Sequence, residues 1–64
     1  MYPNIDAERA RRRLSQQDLC DMLKVSTRTF RNWMNGKTEI PANILIEMAN
    51  IFSCPIDYLL VKDD

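Results

Sequence analysis

Residues 16–35 hold two short runs of helical apolar spacing separated by only three residues, Lys24-Val25-Ser26, and nothing else in the chain constrains its fold as much. In the first run Leu19, Cys20, Met22 and Leu23 recur at helical intervals. In the second, Phe30, Trp33 and Met34 fall at i, i+3 and i+4, with Thr27, Arg28, Arg31, Asn32 and Asn35 on the opposite, polar face. Ser15 is placed to cap the first helix, with Asp18 in the position of a capping-box glutamate, and Ser26 to cap the second. Asn35-Gly36 is a C-terminal stop signal. Cys20 is small enough to let the two axes approach, and Val25 covers the core beneath the turn. The expected unit is a helix-turn-helix: two helices at roughly 90–120° sharing one core, the second with its outer face free.

The remaining residues read as three more helices. Asn4 is placed to cap the first, with Asp6 and Glu8 in its first turn and Arg11, Arg12 and Arg13 in its last, both groups complementing the macrodipole. Its core candidates are Ile5, Ala7, Ala10 and Leu14. After a loop over Lys37–Ile40, Pro41 suits the first position of a helix with Ile44, Leu45, Met48, Ala49, Ile51 and Phe52 as its apolar stripe. Ser53-Cys54-Pro55 breaks the chain before a short fifth helix, Ile56 to Val61, with Ile56, Leu59 and Leu60 apolar. Lys62-Asp63-Asp64 reads as a frayed tail. No run alternates as a strand would, and one Gly with three Pro leaves few turns. The fold class is therefore all-α, and 64 residues allow a single domain, 1–64.

Several functions are disfavoured at once. No stretch approaches the roughly 20 apolar residues of a membrane span, and the first ten residues lack an apolar signal core. A cytoplasmic, non-exported chain is expected. Cys20 and Cys54 show no metal-ligand spacing and read as reduced thiols, Cys20 as a small buried residue and Cys54 beside a helix break. Without His, the usual general base and commonest neutral metal ligand are missing. Asp18 and Asp21 read as cap and surface charges rather than a catalytic pair. No enzyme activity, cofactor, metal or small-molecule ligand is expected.

The zero net charge hides a strong polarisation. Residues 9–37 hold eight basic side chains against Asp18 and Asp21, a net +6, while residues 1–8 carry −2 and residues 38–64 carry −4. That asymmetry points to an anionic partner. A free second helix can enter a major groove about 12 Å wide, where arginine on guanine is the commonest specific contact. Helix N-termini offer amides to phosphates. Trp33 can stack on a base, but its spacing with Phe30 assigns it to the core. Arg11, Arg12 and Arg13 have two readings, a favourable helix C-terminus or direct phosphate contact, and both stay open.

The stretch Leu-Ser-Gln-Gln-Asp-Leu-Cys … Leu-Lys-Val-Ser … Phe-Arg-Asn-Trp-Met-Asn-Gly-Lys-Thr (14–38) and the closing Pro-Ile-Asp-Tyr-Leu-Leu (55–60) resemble the Cro and phage-repressor family of regulators, also called the xenobiotic-response-element family. The resemblance implies a compact, lambda-repressor-like five-helix domain of prokaryotic or phage type that binds double-stranded operator DNA, commonly as a two-fold dimer. It implies that Thr27, Arg28, Arg31 and Asn32 read bases, and that Arg9, Gln16, Asn35 and Lys37 hold phosphates. Three positions depart from the family pattern: Lys24 stands where Gly is usual, Cys20 where Ala is usual, and Met34 where a Glu often pairs with the first-helix arginine. The expected function is a sequence-specific transcriptional repressor. Ile56, Tyr58 and Val61 are candidate dimer contacts, with closure of the monomer core as their other reading. The alternative is a protein-interaction module on the same fold: an antirepressor, an antitoxin or a partner-binding subunit.

Overall fold

The computed structural model describes residues 2–62. The reading of a frayed tail at Asp63 and Asp64 lies outside the described residues. Five helices follow in order: α1 (Pro3–Arg11), α2 (Gln16–Leu23), α3 (Thr27–Met34), α4 (Ala42–Phe52) and α5 (Ile56–Leu59). There is no strand among the described residues. Among the described residues no helix is long and apolar enough to cross a membrane.

None of these helices has more than eleven residues, too short to be stable alone in water. Their packing supplies the stability. Phe30, Phe52, Ile5, Leu19, Met48, Leu59 and Cys20 are fully buried, so every helix contributes to one cluster. Phe30 and Trp33 meet edge to face at 6.5 Å, a geometry aromatic quadrupoles favour. Trp33 is thereby a core residue, only 5% exposed.

The signals around α2 and α3 act as the sequence indicates. Ser15 Oγ accepts from the Asp18 amide at 3.0 Å, and Asp18 Oδ2 accepts from the Ser15 amide at 2.9 Å. The Ser15 backbone N–H, and after it the Ser15 hydroxyl, hold the Asp18 carboxyl below its ordinary range. Ser26 Oγ accepts from the Thr29 amide at 3.1 Å. Lys24 ends α2 in the left-handed region, φ 59°, and Gly36 follows α3 at φ 79°.

Elsewhere the structure corrects several expectations. Asn4 is not the cap of α1. Pro3 already occupies the first turn, where its missing N–H costs nothing, and Asn4 Nδ2 instead donates to the Tyr58 carbonyl at 2.7 Å, tying α1 to α5. Ala7 and Ala10 are exposed; the inward face of α1 is Ile5 and Glu8, three residues apart. Met22 points outward, 47% exposed, because Leu19, Cys20 and Leu23 already fill the face of α2 that meets the core. Arg12 and Arg13 lie beyond the end of α1, Arg13 in the left-handed region at φ 56°. Pro41 precedes α4 instead of opening it: its ψ of 147° is extended, and its carbonyl accepts from the Ile44 and Leu45 amides. The fifth helix ends at Leu59 and not at Val61, leaving Leu60 38% and Val61 49% exposed.

Candidate nucleic-acid interface

α3 is divided cleanly along its length. Phe30, Trp33 and Met34 are buried, which fixes the rotation of the helix on the core. That rotation leaves Arg28 and Arg31 exposed, with Thr27 and Asn32 half-buried at their flanks. The four residues expected to read bases therefore share the outer side of one helix. Eight residues make a helix about 12 Å long, a length that fits within a major groove of similar width. Neither Arg28 nor Arg31 pairs with a carboxylate among the described residues. Their charge is left for an outside partner.

The N-terminus of α3 is rigidly built. Besides capping through Thr29, Ser26 Oγ donates to Thr29 Oγ1 at 2.9 Å. The first-turn amides of Thr27 and Arg28 have no intrahelical acceptor. After α3 the chain folds back tightly, and the amides of Lys37 and Thr38 both donate to the Asn32 carbonyl, at 2.9 and 3.3 Å. Gly36 makes this reversal possible. A Cβ there would meet nothing within 4 Å, so the left-handed φ, not space, reserves the position for glycine. The result leaves Asn35 and Lys37 in the open just past the end of α3. Gln16, the first residue of α2, is half-buried, and the next residue, Gln17, is turned to Asp21 at 2.8 Å.

Arg9 is held differently from the other phosphate candidates. Its Nη1 donates to the Leu14 carbonyl at 2.7 Å, and its Nε lies 3.7 Å from Asp6 Oδ1. The side chain is only 20% exposed. Met34 is buried where the family often has a glutamate, and Asp6 on α1 has become the nearest carboxylate instead. The candidate dimer residues do not form one open patch. Ile56 and Tyr58 are half-buried against the core, and Val61 alone is open.

One residue escaped the sequence reading. Glu8, expected as a first-turn surface charge, is 3% exposed and is the hub of a charged cluster. Arg12 Nη1 donates to its Oε1 at 2.7 Å, the Tyr58 hydroxyl to its Oε2 at 3.0 Å, and Arg11 lies 3.2 Å from Oε2. Arg12 also donates to the Phe52 carbonyl at 2.6 Å and stacks over the Phe52 ring at 5.1 Å. The bonds from Arg12 and then Tyr58 hold the Glu8 carboxyl below the usual range, and the same bond pushes the Tyr58 phenol up. The available signal was the spacing of Ile5, Glu8 and Arg12 at i, i+3 and i+7, one face of a helix.

A family model described as helix-turn-helix matches residues 5–59, from within α1 to the end of α5. No curated protein matches the chain.

Proposed function

Because this chain belongs to the Cro/phage-repressor family of helix-turn-helix DNA-binding regulators, we propose that it is a sequence-specific transcriptional repressor that reads the major groove with α3. The observation that carries this reading is the division of α3: an inner face locked by Phe30, Trp33 and Met34, and an outer face whose Arg28 and Arg31 are exposed and unpaired among the described residues. Thr27, Arg28, Arg31 and Asn32 read bases. Gln16, Asn35 and Lys37 hold phosphates and so set register without specifying sequence. Arg9 joins them only through what its bond to Leu14 leaves free. Binding of a cytoplasmic homodimer across a promoter then blocks transcription. Its half-sites would lie about 34–36 Å apart, one helical turn. Val61, two residues past α5, is the candidate dimer contact that stands exposed.

A binding selection on random duplex DNA tests all of this together. The expected product is a palindromic motif, bound with a log–log salt slope of roughly −0.9 per phosphate neutralised. Failure to enrich any sequence, or a salt-insensitive affinity, refutes the reading and favours a protein-interaction module on the same fold. A single half-site, with a monomer in sedimentation, refutes the pairing alone.

A further inference from the structure

Among the described residues four large apolar side chains stand exposed, and they fall into two groups. Leu60 and Val61 lie past α5, where Leu60 shares a groove with Leu45 of α4. Met22, 47% exposed, and Ile46, 53% exposed, belong to α2 and α4. Met22 lines a cleft between these two helices, with Lys24 just past α2 and with Glu47, Asn50 and Ile51 of α4. Ile46 lies about one helical turn before Asn50. Leu45 and Glu47 are two residues apart in a helix, so they point to opposite flanks of α4. The cleft is therefore on the other flank of α4 from the chain end. None of the residues assigned above to bases or phosphates lines it.

The charges of the cleft indicate what covers it. Its α2 side carries a cation, Lys24, and its α4 side a carboxylate, Glu47. Both are exposed, and neither is in an ion pair among the described residues. A two-fold axis through the cleft sets Lys24 of one copy against Glu47 of the other, and the symmetry repeats the contact in reverse. An unrelated partner must bring the matching pair of opposite charges; a second copy already carries it. The formal net charge of the chain is zero, so two copies meet without the net repulsion that keeps strongly charged proteins apart. We propose that the α2–α4 cleft is a self-association surface, at which two copies of this chain meet through crossed pairs of Lys24 with Glu47 around Met22 and Ile46. The inference needs neither DNA nor a contact at the chain end. The patch is smaller than the roughly 20–30 residues a side of a standard interface, so the association is weak. Its use lies between copies already held close together, where the effective concentration is high.

The test is sedimentation equilibrium without DNA, over a series of protein concentrations at low and high KCl. It compares the parent, Glu47→Lys, Lys24→Glu, an equimolar mixture of those two, and Val61→Glu. The parent is expected to associate at low salt and less at high salt, because exposed charge pairs are screened. Each reversal alone sets like charges together at both crossed contacts and loses the association. The mixture regains it, since one chain is then positive at both positions and the other negative; a pair within a single chain could not be restored by mixing. Val61→Glu retains the association. A mixture of Asp57→Lys with Lys37→Glu, which carries the same net charges placed elsewhere, stays at the parental level. Should a reversal unfold, Glu47→Gln and Lys24→Gln read the same loss. A parent that remains monomeric throughout, reversals that associate like the parent, or a mixture of the two reversals that fails to associate overturns the proposal. So does a control mixture that associates as strongly, or an association lost in Val61→Glu. None of these outcomes touches the reading of bases by α3, which the selection on random duplexes tests separately.

Discussion

Arg12, just past the end of α1, and Arg31, on α3, are the same side chain in opposite surroundings. Arg12 spends its donors on a buried carboxylate, on the Glu8 carbonyl one turn back and on the Phe52 carbonyl 40 residues on, and its guanidinium covers an aromatic ring. Arg31 is exposed and pairs with no carboxylate among the described residues. Around Arg12, charge holds α1, α4 and α5 together. Along α3, apolar side chains do the holding and charge faces out. Net charge by segment is thus a poor guide to a binding face. Of the basic residues between 9 and 37, Arg9, Arg11 and Arg12 meet carboxylates inside the fold, whereas Arg28 and Arg31 on α3 and Lys37 in the loop after it stand exposed.

The comparison breaks most severely if the two regions are not one cooperative unit. Phe30 is 1% exposed in the cluster that both share. Phe30→Ala should cost about 3–5 kcal/mol, a large fraction of the marginal stability of a small domain. Trp33 fluorescence and far-ultraviolet circular dichroism should report the same transition in denaturant. If α1 and α5 melt separately from α3, the two regions are independent.

Next in size is the loss of Arg12. Arg12→Ala leaves the Glu8 carboxylate buried without its strongest partner, and the melting temperature should fall by on the order of 10 °C. The pH dependence of stability comes from the same cluster. The Glu8 pKa is lowered by folding from an ordinary value of 4.5, so its contribution is full above that value and is lost as pH falls through the folded-state pKa. Glu8→Gln should flatten the stability profile on the acid side of pH 4.5. Tyr58 is shifted the other way, up from 10.0, so its contribution is full below that value and is lost as pH rises through the folded-state pKa. A parental acid profile in Glu8→Gln would show that the cluster contributes nothing to the interlock.

The α3 side was legible in the sequence because its signals are local. Ser15 with Asp18, Ser26 three residues before Thr29, and the spacing of Phe30, Trp33 and Met34 each fix structure within one helical turn. The α1 side was not, because its determinants are distant. Asn4 looks like a cap until Tyr58 is beside it, 54 residues away, and Glu8 looks like a dipole charge until Arg12 and Tyr58 enclose it. Local propensity says nothing about a partner 50 residues on. The same limit applied to the arginine triplet, whose members are indistinguishable until the third dimension gives one of them Phe52.

The mirror experiment to Arg12→Ala is Arg28→Ala and Arg31→Ala. With no internal partner to lose, each should melt close to the parent, as surface changes do. Each should instead cost about 1–3 kcal/mol of discrimination at one base position of the selected site. Variants that bind every sequence like the parent would remove Arg28 and Arg31 from the reading face.

The smallest effect is expected at Lys24, where a side chain stands in the left-handed turn between α2 and α3, at φ 59°. Lys24 lines a cleft with Met22, Glu47, Asn50 and Ile51, on the side of α2 that faces α4. Its strain should therefore be separable from DNA binding. Lys24→Gly should stabilise the fold by about 1 kcal/mol and leave base discrimination unchanged. The salt slope is the sharper readout. A slope reduced by about 0.9 would make Lys24 a phosphate contact and extend the outward-facing charge around the turn. A parental slope confines that charge to α3 and the loop after it.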